Sequence, residues 1–280
     1  MVKGMIGVSV FTSDAFLEAF GLAINATPVY GKGLWIRRGR FINKAEGSAW
    51  NLFAKAPNID DMIKVSREYK CWFLRFIAEA PLDDKRLGAP VPSPTMLTFP
   101  DYKPNKDVRW GIQKAEKSGF TVEPCPASVI RPLLDQLWTR LGHGIPQRFY
   151  EILEKAGIGK ALVARLGEKV CSGLFYLVDE KNVWYMFSLA TDPSFRSSQV
   201  TSLLVHTFIR QAFDEGSNCV DLCGSSIPSI AGFKRQFASK THCRPMYEVS
   251  LSPLYPLGRT AGKILGLWKT RYSQKWTTEA

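Results

Sequence analysis

Hydrophobic residues along this chain fall at helical spacing in some stretches and in short apolar runs in others, and the two patterns trade places regularly. Ser13 caps a helix through Asp14–Leu22, with acids in its first turn and Gly21 near its end. Leu34-Trp35-Ile36 and Arg40-Phe41-Ile42 read as strands about a turn at Arg38-Gly39. Asp60 and Asp61 start a helix to about Lys70, with Met62, Val65 and Tyr69 on one face; Cys71–Ala78 follows as a mostly apolar strand. Pro90, Pro92 and Pro94 interrupt the pattern. A lobe boundary is expected there, dividing residues 1–94 from residues 95–280.

The second part alternates more clearly. A strand is predicted at Met96–Phe99, then helices at Val108–Ser118, Ser128–Leu141 and Pro146–Lys155. Strands at Ala161–Leu166, Ser172–Val178 and Val183–Ala190 are joined by Gly167-Glu168-Lys169 and Asp179-Glu180-Lys181-Asn182, which is hairpin chemistry. A helix over about Ser198–Asp214 turns Leu203, Leu204, Phe208 and Phe213 toward a core. The strand Cys219–Leu222, a helix Pro228–Phe237, a strand Met246–Leu251 and a basic terminal helix complete the order. The class is α/β (α+β), a mixed sheet flanked by helices.

Composition narrows the setting. At 280 residues and 45% hydrophobic, the chain can bury one large core or two modest ones. No apolar run approaches the roughly 20 residues that span a bilayer, and the first residues lack a secretory pattern. A cytoplasmic protein is expected, with peripheral membrane contact left open. The six cysteines form no C-x-x-C pair and read as structural thiols; the three scattered histidines give no zinc pattern. The net charge of +12 is concentrated at Lys32, Arg37, Arg38, Arg40 and Lys44 and again at Arg259, Lys263, Lys269, Arg271 and Lys275. Such patches attract tRNA, other RNA or anionic lipid, and they equally describe a generally basic surface. Nothing in the pattern fixes an oligomeric state.

The candidate chemistry lies in Asp221-Leu222-Cys223-Gly224-Ser225-Ser226 and, eight residues on, Lys234 within Gly232-Phe233-Lys234-Arg235-Gln236-Phe237. A buried strand ending in a Gly-Ser-Ser turn exposes backbone N–H groups where ligands of α/β sheets collect. A lysine on the next helix can neutralise a phosphate or a developing oxyanion. The same residues also read as an ordinary strand–helix connection with a solvated Lys-Arg pair.

Three stretches carry a family resemblance. Asp221–Phe237 (DLCGSSIPSIAGFKRQF) is similar to the final motif of the Fem-type aminoacyltransferases, a branch of the GNAT acyltransferases. Arg109–Phe120 (RWGIQKAEKSGF) resembles the helix opening their second subdomain, and Phe11–Phe20 (FTSDAFLEAF) resembles their opening helix. The resemblance implies a GNAT-like sheet preceded by a shorter, diverged GNAT-like lobe. It implies transfer of an aminoacyl or acyl group to an amine, with Lys234 stabilising the acyl oxyanion beside Phe233 and the Gly224-Ser225-Ser226 turn. It also suggests Tyr185 as a helper, since relatives place a tyrosine on a central strand; its other reading is a core aromatic between Trp184 and Phe187. Arg148 and His143 can meet an anionic acceptor, or serve as solvated helix-start residues. The lysine that some Fem proteins carry near the opening helix, and the coiled-coil arm of others, have no counterpart, so a cell-wall precursor is not implied.

No cofactor is required by this reading, and the donor is either aminoacyl-tRNA or acyl-coenzyme A. Family members wrap coenzyme A pyrophosphate with a glycine-rich loop that matches Asp192–Thr201. Here Arg196 and Ser198 flank a helix start, but Gln199 and Thr201 replace the small residues, and their side chains crowd a phosphate. An alternative of another class is a non-catalytic module whose Tyr255–Trp276 segment lies on RNA or anionic membrane.

Overall fold

The structure, a computed structural model, describes residues 10–38, 43–47, 58–140, 148–225, 227–256 and 260. Helix α1 (Asp14–Ile24) begins where the cap predicts: the Phe16 N–H donates to Ser13 Oγ at 3.3 Å. β1 (Thr27–Val29), β2 (Leu34–Arg38) and β3 (Asn43–Gly47) form an antiparallel ribbon, and α2 (Ile59–Glu68), capped by Asn58, crosses to β4 (Cys71–Ile77) parallel to β3. The strand expected at Arg40-Phe41-Ile42 lies outside the described residues.

β5 (Val91–Thr98) corrects one expectation, because Pro92 and Pro94 lie inside it and do not break it. Proline has no N–H to give a ladder, so it is tolerated where no ladder bond is owed. The Pro94 carbonyl faces β10 (Cys219–Gly224), accepting the Ser225 N–H at 3.2 Å just past that strand's end. Opposite Pro92 stands Pro245 of β11 (Lys240–Ser250), whose carbonyl points the other way, to the Ala78 N–H at 3.0 Å.

The remaining elements are α3 (Lys106–Lys117), β6 (Phe120–Cys125), α4 (Ala127–Arg140), α5 (Arg148–Lys155), β7 (Gly159–Leu166), β8 (Lys169–Val178), β9 (Val183–Thr191), α6 (Val200–Asp214) and α7 (Pro228–Arg235). Among the described residues they join one sheet in the order β1-β2-β3-β4-β11-β5-β10-β9-β8-β7-β6. Strand β11 stitches its halves together: Lys240–Met246 pair with β5 and Met246–Ser250 with β4. It runs six residues further back than predicted, since its first half (KTHCRP) is polar and only tertiary pairing makes it a strand.

Helices cover both faces of the sheet. α1, α4 and α5 close one core around Phe16, Ile130, Phe149, Phe175 and Tyr185. On the other face α3, α6 and α7 bury Trp184, Leu204, Phe208, Val220 and Phe237, while α2 packs Met62 and Ile63 on β4 and β11. At about 25 cal/mol per Å2 of apolar surface, these layers dominate stability, and they leave the sheet centre rigid. No described helix is long and apolar enough to cross a membrane.

Candidate active site

Two neighbouring parallel strands come apart in the middle of this sheet. β9 and β10 pair only at Val183–Tyr185 and Cys219–Asp221, although β9 continues to Thr191 and β10 to Gly224. Beyond Asp221 the chain of β10 shifts register against β5, and Cys223 takes a left-handed backbone conformation (φ 61°). The strands diverge around a cleft of about 1090 Å3. Its wall contains Met186–Thr191 of β9, Gly224, and Ile230, Phe233 and Lys234 of α7. Across the sheet, Leu133, Leu137 and Trp138 of α4 line the same space, so the cleft passes through the split from one face to the other.

Lys234 reaches this cleft from α7 and is only 9% exposed. Its Nζ donates to the Gly224 carbonyl at 2.8 Å and to the Cys223 carbonyl at 3.3 Å. An ammonium has three N–H bonds, so one is left for a ligand in the cleft. Burial pushes its pKa below the usual lysine range, with Cys223 and Asp221 opposing the shift. Burial also raises the pKa of the wholly buried Asp221 carboxyl, against the pull of the Arg244 guanidinium and of hydrogen bonds from Thr95 and the Cys223 N–H.

The stretch after β9 forms the cleft's second rim. Pro193–Ser198 is a 3₁₀ turn capped by Asp192, and α6 starts behind Gln199, which is left-handed (φ 68°) and makes no side-chain cap. Its side chain leans on α3: a Cβ built on Gly111 would lie 2.9 Å from Gln199 Oε1. Lys114 Nζ donates to the Ser197 carbonyl at 3.4 Å and stands over the Trp110 ring. Arg196, Gln199, Thr201, Asp107 and the exposed Trp110 line the cleft on this side.

Of the residues singled out from the sequence, Lys234, Phe233, Gly224 and Arg196 come together at the cleft. Tyr185 does not. It is fully buried before the strands part, packs edge-on against Phe11, and its hydroxyl donates to Asp179 Oδ2 at 2.8 Å. Burial and the Asp179 carboxylate push its pKa well above the ordinary tyrosine value, so the core reading holds. Ser198 donates to the Phe195 carbonyl at 2.6 Å and is not part of the wall. Ser225 is buried behind Gly224, and Arg148 is exposed at the start of α5; neither lines the cleft. Ser226 and His143 lie outside the described residues. So does nearly all of the Tyr255–Trp276 segment, while in the first basic cluster Lys32 pairs with Asp61 and Lys44 with Glu46. Sequence reasoning missed Trp110, the α4 wall and Asp221. For Asp221 the signal was a carboxylate inside an otherwise apolar strand, two residues before the Gly-Ser-Ser turn.

The chain is similar to known proteins in part of its sequence and in its fold. Residues 105–235 match the family described as acetyltransferase (GNAT) domain. Over those residues the chain is similar to GNAT acyltransferase domains. Its fold extends beyond that domain: FemX is similar over 89% of this chain and 94% of its own, with a TM-score of 0.64 at 12% identity. L-PGS from Bacillus licheniformis covers 83% of this chain and 85% of its own (TM-score 0.57, 12% identity). A GCN5-related N-acetyltransferase from Kribbella flavida covers 89% and 99% (TM-score 0.51, 11% identity). No curated protein is similar to the chain at the level of sequence. The mixed sheet expected of a Fem-like GNAT fold is therefore observed.

Proposed function

We propose that this GNAT protein is a Fem-like N-acyltransferase that moves an aminoacyl group from an aminoacyl-tRNA to an amine acceptor. The observation that carries the reading is Lys234, a buried ammonium with two N–H bonds fixed on carbonyls and a third facing a cleft open to both sheet faces. An amine entering from one side attacks an acyl carbonyl presented from the other. The carbonyl oxygen gains negative charge as the C–N bond forms, and the remaining Lys234 N–H meets it. The tetrahedral centre then expels the donor's ribose oxygen, which takes up the proton that the attacking amine gives up, directly or through water. A fixed cation of this kind lowers the barrier without reorganising at the moment of reaction. Asp107 is the one carboxylate among the described wall residues and lies on the exposed rim, so no side chain is assigned as general base.

Gln199 favours this donor over coenzyme A, because its side chain fills the approach to the loop where a pyrophosphate would meet the backbone. The net charge of +12 is suited to a tRNA. A second reading uses acyl-coenzyme A, and the GNAT family match favours it. Native mass spectrometry with a panel of aminoacyl-tRNAs and acetyl-coenzyme A separates the two. Retention of the aminoacyl-tRNA, with acyl transfer lost in Lys234→Ala, supports the first reading. Micromolar coenzyme A binding with no tRNA complex rejects it.

A further inference from the structure

We infer that Asp221 is a positioning residue that aims Lys234 into the cleft through the amide of Cys223; its catalytic consequence rests on the role given to Lys234 above. In a regular strand successive carbonyls point to opposite sides, so one cation cannot reach two in a row. At the end of β10 the Cys223 and Gly224 carbonyls both accept from Lys234 Nζ. The turn that makes them converge is the left-handed Cys223, a conformation that is unfavourable for a non-glycine residue.

One side chain holds that turn. The Cys223 N–H donates to Asp221 Oδ1 at 2.7 Å, closing a two-residue loop of side chain and backbone. The Thr95 hydroxyl of β5 donates to the same oxygen and fixes the carboxyl from across the ladder. Among the described residues Asp221 Oδ2 has no partner, and both hydrogen bonds found for this carboxylate serve the orientation of Oδ1. An aspartate wholly buried between Val220 and Leu222 is costly for the strand, and an apolar residue would suit the ladder better. The kink explains its presence. The buried Arg244 on β11 offsets its charge, and among the described residues its Nε and Nη1 are likewise without partners.

The test separates geometry from charge and needs no substrate. Competitive acetylation with acetic anhydride, read by mass spectrometry, reports how firmly the Lys234 amine is held relative to exposed lysines. Asp221→Asn keeps an oxygen at the same reach; labelling is followed to high pH, where every amine is neutral, and its plateau should stay within about twofold of wild type although loss of the carboxylate charge moves the midpoint down. Asp221→Glu keeps the charge but moves the oxygen by one methylene, and should raise labelling by about fivefold or more. In an aminoacyl-transfer assay the same Glu variant should lose kcat with KM unchanged, and the Asn variant should retain it. Equal labelling in the two variants, or loss in Asn with retention in Glu, overturns the inference. Labelling that follows the expected order while transfer stays unchanged in both keeps Asp221 as the holder of Lys234 and removes Lys234 from catalysis. Both substitutions are close in size to aspartate; thermal melts confirm that each variant compared is folded.

Discussion

The same two strands behave differently at their two ends. Where β9 and β10 are paired, Tyr185 donates to Asp179, and Asp179 Oδ1 accepts the N–H groups of Lys181 and Val183. Where they part, groups are turned toward empty space: Lys234 keeps one N–H free, and two residues, Cys223 and Gln199, hold left-handed backbones without being glycine. The left-handed Asn182 at the closed end belongs to a hairpin turn, whereas Cys223 and Gln199 border the cleft. A fold tolerates such features where they serve a ligand. The contrast also explains why Tyr185, one residue from the split, is a core residue.

Breaking the open end should have the largest effect on chemistry. Lys234→Ala removes the fixed cation and should lower acyl-transfer turnover by about a hundredfold, corresponding to roughly 3 kcal/mol of transition-state stabilisation. The measurement is single-turnover transfer at saturating donor. An effect confined to KM would mean that the lysine binds donor and transition state equally.

The same position should affect stability in the opposite direction. Because burial depresses the Lys234 pKa, the unfolded chain binds more protons than the native one between the native pKa and about 10.5. This residue's contribution to stability is thus present above 10.5 and lost as pH falls through the native value. At neutral pH the buried ammonium is a net cost. Lys234→Met should raise stability in urea by about 2 kcal/mol at pH 7 while abolishing transfer. Its gain over wild type should shrink as the pH rises toward 10; a gain constant with pH would show that the packing of methionine, not the ammonium, is responsible.

At the closed end the ranking reverses. Tyr185→Phe leaves Asp179 Oδ2 without its donor and should cost about 1.5 kcal/mol of stability. Turnover should stay within about twofold, since the lost bond never reaches the cleft. A fall in turnover comparable to that of Lys234→Ala would restore Tyr185 to the mechanism and erase the distinction between the two ends.

Much of this was legible from residue spacing. The helix caps at Ser13, the hairpin turns about Gly167 and Asn182, and the strand–turn–helix from Cys219 to Lys234 are local signals, and local signals survive folding. β6 was not legible: Phe120–Cys125 is a short edge strand with Pro124 within it, and its partner β7 lies 40 residues away in sequence order beyond two helices. The prolines of β5 misled for the same reason, since whether a missing N–H matters depends on which neighbour a strand acquires. Lys234 could be placed near a turn from the sequence, but its two carbonyl partners depend on the kink at Cys223, which depends in turn on Asp221. Of the two readings open for Tyr185, the core one is observed; alternation gives the face of a strand and does not give the point where its partner leaves.

The smallest expected effect offers the sharpest view of the donor. Gln199 occupies a backbone conformation that glycine adopts without strain, yet its side chain packs against Gly111 and its Oε1 accepts from Ser202 Oγ at 3.2 Å. Gln199→Gly removes the strain but loses those contacts and frees the unfolded chain, so the net change should be under about 1 kcal/mol, a shift of a few degrees in Tm. What it alters is space: the backbone N–H groups at the start of α6 become approachable from the cleft. If the glutamine is what keeps a pyrophosphate out, coenzyme A binding measured by titration calorimetry should appear or strengthen by about tenfold in this variant, with aminoacyl-tRNA binding unchanged. If wild type already binds coenzyme A and the substitution adds nothing, the left-handed residue at 199 is doing glycine's work with a longer side chain, and the open end of the split accepts a thioester.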